Sequence, residues 1–304
     1  MSKTGIIVKR YLRSLLVGLG VLLFVVFIGI TIGMYFFVNG SMHSDIPSPP
    51  PGYRTVSFVS ADQTPLEGWY KGVDQPYGIA VLVHGVAANR LQRLPEANWL
   101  VSQGYSVLLF DLRNHGNSGA GSTTYGWMEK HDVAAAVDYA RSLERRGPLI
   151  VWGLSLGAAS SLMALDVSER IEALIAEAPY DTMLNTFLLH GRLYGGVPMV
   201  PVAYATAWLL SLRGGFDMED VSAIEAVSNA DDVPILFAVG AQDRRTPQRV
   251  THALAQAHKG KSRIWVGQGR HAYLWRNDGD AYRLQVLRFL REITSAANSG
   301  KDGR

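Results

Sequence analysis

Gly153-Leu154-Ser155-Leu156-Gly157 sets one serine between two glycines, each two residues away. The apolar run Leu149-Ile150-Val151-Trp152 precedes it and Ala158-Ala159-Ser160-Ser161-Leu162-Met163-Ala164 follows, so a buried strand, a tight turn and a helix are expected in that order. A turn of that kind presents the serine hydroxyl for nucleophilic attack, and glycine at 153 and 157 relieves the crowding around its backbone. A serine hydroxyl is a weak nucleophile at neutral pH. It needs a base, an acid to orient that base, and N–H donors for the oxyanion that develops. His271, preceded by Gly267 and Gly269 on the loop after a strand at 263–266, is the candidate base. Asp243, just past a strand at 234–239, is the candidate acid, with Glu177 and Asp181 as rivals. The oxyanion donors are expected to be the backbone N–H groups of Leu156 and of Val86, the latter in His84-Gly85-Val86-Ala87. His84 is read as bracing that loop, and His258 as ending a helix.

These side chains need a scaffold that brings distant segments together. Residues 79–83 and 105–110 are continuous apolar runs, as fully buried parallel strands should be. Strands are also expected at 53–59, 66–70, 149–152 and 171–176. Helical patterns fall at 94–103, 127–143, 248–257 and 281–296. Strand–helix alternation implies a mostly parallel central sheet with helices on both faces, an α/β fold. In such sheets the reactive side chains belong on loops at the carboxyl ends of strands. Ser155, Asp243 and His271 all fall there. Residues 180–228 are too long for a simple connection and should form a short helical cap. Within it, residues 193–212 carry no charge, but Gly195, Gly196, Pro198 and Pro201 interrupt them, which argues against a second membrane span.

The N-terminus is of a different character. Residues 15–38 hold no charged side chain, enough for a helix of about 36 Å across a hydrocarbon core of about 30 Å. A cleaved signal peptide has a shorter apolar core and a small-residue cleavage site, so a transmembrane anchor is expected. Lys3, Lys9, Arg10 and Arg13 make 1–14 a basic tail that should stay cytoplasmic, leaving the remainder on the opposite side, periplasmic in a bacterium. Residues 39–52 carry four prolines and read as a semi-rigid linker; 53–293 should be the folded domain and 294–304 a flexible tail. Setting aside the four N-terminal cations leaves 25 Lys and Arg (29 less 4) against 26 Asp and Glu, with no basic, aromatic-laced patch for nucleic acid. Cysteine is absent, which excludes a thiol nucleophile and thiolate metal sites. No metal-ligand spacing or phosphate loop occurs, so neither a metal nor a cofactor is expected. Nothing singles out a protein partner.

The order Ser155…Asp243…His271, together with His84-Gly85, the segment Asp111-Leu112-Arg113-Asn114-His115-Gly116-Asn117-Ser118 and Glu177-Ala178-Pro179-Tyr180, resembles the α/β-hydrolase superfamily. With its N-terminal helix and short cap, the chain is most similar to the membrane-anchored, serine-aminopeptidase-like members. The resemblance implies an α/β-hydrolase fold, with Ser155 as nucleophile, His271 as base and Asp243 as acid. It also implies that Asp111 and His115 brace loops rather than react. The expected activity is a serine hydrolase acting on carboxylic esters or thioesters, with small acyl esters or lipids as substrates. An aminopeptidase, using Asp217, Glu219 or Asp220 to hold an ammonium group, and a catalytically silent tethered scaffold are the alternatives.

Overall fold

In the computed structural model, which describes residues 3–299 apart from 231 and 273, the chain opens with one long helix, α1 (Lys3–Asn39). Its stretch Lys9–Asn39 is long and apolar enough to cross a membrane. After the two-residue β1 (Met42–His43), an antiparallel pair, β2 (Arg54–Val59) and β3 (Pro65–Lys71), forms one edge of the main sheet. The strands β4 (Ile79–Val83), β5 (Ser106–Phe110), β7 (Leu149–Leu154) and β8 (Ala173–Glu177) are buried along their whole length. So is β9 (Ile235–Gly240), and β10 (Ser262–Gly267) closes the far edge. The eight strands run in the order β10-β9-β8-β7-β4-β5-β3-β2, parallel from β10 through β5. The short β6 (His115–Gly116) pairs with β1 alone.

Alternating side chains on each strand feed two cores. Ile79, Val81 and Val83 pack beneath α3 (Glu129–Leu143), α4 (Leu156–Met163), α7 (Ala223–Ser228) and α8 (Gln248–Ala257). Ala80 and Leu82 face α2 (Leu94–Ser102), α9 (Leu274–Asn277) and α10 (Gly279–Ser299). Helices therefore cover both faces, and the chain crosses over from strand to strand as the apolar runs require. The cap consists of α5 (Met183–Gly195), α6 (Val200–Gly214) and α7.

Two expectations change. Residues 39–52 are no free stalk. Met42 N–H donates to the Asn114 carbonyl at 3.0 Å, the Asn114 side-chain amide donates to the Gly40 carbonyl at 3.1 Å, and the Thr123 N–H donates to Asn39 Oδ1 at 3.1 Å. Asn114 supplies partners that an exposed linker would have sought from water. The boundary expected at 294 cuts through α10, whose sequence pattern is helical to 296 and which runs to Ser299. The helix buries Tyr282, Val286, Phe289 and Leu290 against the sheet, with Ile293 packed beside them and Thr294 Oγ1 2.8 Å from Tyr105 Oη.

Candidate active site

Register alignment brings the carboxyl ends of the parallel strands level. Val83 pairs with Gly153, Gly153 with Ala176, and Gly267 with Gly240. Ser155 sits at the tip of the β7–α4 turn with φ 53° and ψ −111°, a conformation L-residues rarely adopt, which costs about 1–3 kcal/mol. Its N–H donates to the Glu177 carbonyl at 2.8 Å and its carbonyl accepts from the Ala159 N–H at 2.9 Å, so the neighbouring strand and the first helical turn hold the strained residue. The glycines act differently from each other. A Cβ on Gly153 would run into the backbone of Gly157 and Ala158, inside the turn. One on Gly157 would stand 2.5 Å from the His84 carbonyl oxygen and 2.6 Å from that of Val83, so Gly157 serves the fit of the turn against β4.

Three side chains far apart in the chain meet at this end of the sheet. His271 Nε2 lies 2.9 Å from Ser155 Oγ, and its Nδ1 lies 2.8 Å from Asp243 Oδ2. Asp243 is buried and also accepts from the N–H groups of Arg245 at 2.9 Å and Thr246 at 3.0 Å. Burial works against its ionisation, but hydrogen bonds from His271 and Thr246 prevail and hold the carboxyl below its usual range. The loops that carry Asp243 and His271 touch because Gly240 has no side chain where the Gly269 carbonyl approaches. With Asp243 ionised, Nδ1 of His271 carries the proton and Nε2 is free to accept from the serine hydroxyl.

The other predicted residues fall around this line. Gly85 packs so that a Cβ on it would rest 3.6 Å from Ser155 Cβ, which puts the 84–87 loop beside Ser155. The N–H groups of Val86 and Leu156 have no hydrogen-bond partner among the described residues, whereas those on either side of Val86 are taken. Gly85 donates to Gln92 Oε1 at 2.8 Å and Ala87 to His115 Nε2 at 3.3 Å. His84 is fully buried, with Nδ1 2.7 Å from its neighbour's carbonyl, and its Nε2 accepts from the Leu112 N–H at 3.0 Å. Burial, reinforced by His115, pushes its imidazole down to about 4, so it stays neutral and braces the loop. Asp111 grips Arg90 through Nε and Nη2 at 3.1 and 2.6 Å. The rivals for the acid are engaged elsewhere: Glu177 with Arg93 and Tyr282, Asp181 with Asn185. His258 Nε2 lies 3.0 Å from the Ala230 carbonyl at the end of α8, away from this cluster.

Sequence reasoning missed two features. Thr246 Oγ1 stands 2.9 Å from Asp243 Oδ2 and 3.2 Å from both the Ala178 carbonyl and His271 Nδ1, although the sequence marks it only as the residue before a helix-starting proline. The second is a cleft of about 1010 Å³ beside His271, into which Arg244, Arg245, Arg270 and Arg276 open. Three of these flank Asp243 and His271 in sequence, a clustering visible in retrospect. Among the described residues no grouping of His, Asp and Glu could hold a metal ion.

Comparison with known proteins agrees with this architecture. The uncharacterised protein YqkD of Bacillus subtilis is 26% identical over 235 residues, 76% of this chain and 77% of YqkD. An esterase of Pyrococcus furiosus superimposes with a TM-score of 0.66 at 22% identity, covering 80% of this chain and 93% of the esterase. The acylaminoacyl peptidase of Pyrococcus horikoshii gives a TM-score of 0.62 at 17% identity over 80% of this chain and 42% of the peptidase. At such identities the two structures speak for the fold alone. The family described as the alpha/beta hydrolase family matches residues 80–299, most of the folded part. The chain belongs to the alpha/beta hydrolase family.

Proposed function

We propose that this protein is a membrane-anchored serine hydrolase that cleaves carboxylic esters or thioesters carrying lipid-like acyl groups. The observation that carries the reading is the unbroken hydrogen-bonded line from Ser155 Oγ through the His271 ring to Asp243. Ser155 Oγ attacks the acyl carbon while His271 Nε2 takes its proton. The negative charge moves onto the former carbonyl oxygen, where the N–H groups of Val86 and Leu156 receive it. His271 then returns the proton to the leaving alkoxide or thiolate, and Asp243 stabilises the imidazolium between the two transfers. Water, deprotonated by the same imidazole, releases the acyl group from Ser155.

Support for the anchoring comes from α1. Thr31 is buried and Met34, Tyr35 and Val38 are half-buried, while α1 packs on cap helix α6. The charge-free part left clear of the domain, residues 15–30, spans about 24 Å, short of a hydrocarbon core of about 30 Å. With the boundary at the charge-free run, the next turns of α1 would enter the membrane too and bring α6 to the headgroup level. The outward stripe of α6 suits that depth: Tyr204, Trp208 and Leu212, four residues apart, are exposed on one face.

The aminopeptidase alternative needs an acidic anchor for a substrate ammonium. Asp217, Glu219 and Asp220 lie outside the lining of the cleft at His271, and the arginines there would repel an ammonium. Hydrolysis of p-nitrophenyl acyl esters against aminoacyl p-nitroanilides separates the readings. Ester turnover that disappears in Ser155→Ala is the expected result. Preference for the aminoacyl amides contradicts the ester reading, and no turnover of either favours the silent scaffold.

A further inference from the structure

We infer that the cleft beside His271 is an anion subsite for the leaving alcohol, so that the favoured substrates are esters whose alcohol half carries a phosphate or a carboxylate. The inference rests on the ester-hydrolase reading and adds the charge of the substrate. Four cations line the cleft: Arg244 and Arg245 from the loop after β9, Arg270 and Arg276 from the segment around His271. All four are exposed, and none forms an ion pair among the described residues. Elsewhere the chain neutralises its inward arginines with care: Arg90, Arg93 and Arg113 are each buried against two carboxylates. Among the described residues the one carboxylate on the cleft wall is Glu96, itself buried and held by Arg93 at 3.2 Å, and burial pushes its pKa up. Arg245 is positioned rather than loose, since its Nε donates to Tyr194 Oη at 2.7 Å. The wall is thus a one-signed field with guanidinium forks suited to phosphate or carboxylate oxygens.

Position assigns the half of the substrate. The general acid protonates the leaving oxygen, so the alcohol must lie on the side of His271, whereas the acyl oxygen faces the N–H donors at Val86 and Leu156. Neither donor residue lines the cleft, although Gln92, which accepts from the Gly85 N–H, forms part of its wall. All four arginines come from the segments that carry Asp243 and His271, which puts the positive charge on the alcohol side.

Two ester pairs with matched acyl chains read the effect: 1-acylglycerol 3-phosphate against 1-monoacylglycerol in neutral detergent micelles, and meta-carboxyphenyl against meta-carbamoylphenyl butyrate. The anionic member should show kcat/KM about tenfold higher at low salt. That ratio should fall toward one as salt rises to about 0.5 M and in the triple variant Arg244→Gln, Arg270→Gln, Arg276→Gln. A preference in both pairs assigns the subsite to the anion itself; one confined to the lipid pair assigns it to a phosphate headgroup. Equal kcat/KM within both pairs, or a preference that survives the triple substitution, overturns the inference. Turnover of none of the four esters defeats the hydrolase reading instead. Calorimetric titration of Ser155→Ala with glycerol 3-phosphate and with glycerol then still tests the cleft. Binding of the phosphate alone, abolished by the three substitutions, supports the subsite, and its absence removes it.

Discussion

Thr246 stands beside the proposed reacting line and touches two of its members. Its hydroxyl stands within hydrogen-bonding distance of Asp243 Oδ2, the oxygen His271 also uses, and of the Ala178 carbonyl. Thr246→Val keeps the shape and removes the polar group, so kcat on a p-nitrophenyl ester should fall about tenfold while the unfolding free energy falls by only about 1 kcal/mol. An unchanged kcat would reduce Thr246 to a packing residue. His84 makes a different prediction at the same scale. Its folded pKa of about 4 lies below the ordinary 6.5, so the unfolded chain binds the extra proton between those values. The contribution is fully present above pH 6.5 and is lost as pH falls toward 4, amounting to about 3 kcal/mol. Urea unfolding across that window should show His84→Gln with a flatter slope than the wild type; identical slopes would refute the assignment. The meeting of Ser155, Asp243 and His271 was legible in the sequence because each follows a recognisable strand. Thr246 and the cleft arginines were not, since their roles exist only once two loops lie side by side.

At the level of elements, the β7–α4 turn is where strain and packing coincide. Gly157 lies under the end of β4, so Gly157→Ala should destabilise the fold by about 1–3 kcal/mol through forced backbone shifts, and it should lower kcat by moving Ser155. Equilibrium unfolding and ester kinetics on the same preparation measure both; a variant as stable and active as the parent would show that β4 can yield there. The parallel strands were readable as unbroken apolar runs bounded by turn residues, and ridge patterns placed α3, α8 and α10 to within a turn. The strap at 39–44 was hidden. Its partners, Asn114 and Gly116, lie more than seventy residues away, and nothing local in a Pro-rich segment announces a long-range pairing. The helical pattern read at 281–296 covered most of α10; its last turn to Ser299 was missed because the side chains that anchor the helix, through Ile293 and Thr294, lie before it.

At the scale of the whole molecule, helix, strap and cap act as one support. The strap ties the end of α1 to the 114–116 segment, whose His115 in turn accepts from the Ala87 N–H in the loop that carries Val86. With the domain held this close, α6 should sit among lipid headgroups. In protein reconstituted into bilayers, lipids brominated near the glycerol should quench tryptophan emission, and Trp208→Phe should remove a clear part of that quenching. Quenching unaffected by the substitution would place α6 in water and return the domain to a position away from the surface. Composition and the charge-free run made the long apolar helix α1 legible; its contact with the cap could not be, because α6 reads as an ordinary apolar helix.

Labelling with a fluorophosphonate probe bears most directly on the central claim, that the hydroxyl at 155 is made nucleophilic by the ring at 271. The folded protein should be labelled at Ser155 alone, located by peptide mapping, and labelling should vanish in both Ser155→Ala and His271→Ala. A folded wild type that takes up no probe, or one labelled equally well without His271, would contradict the account.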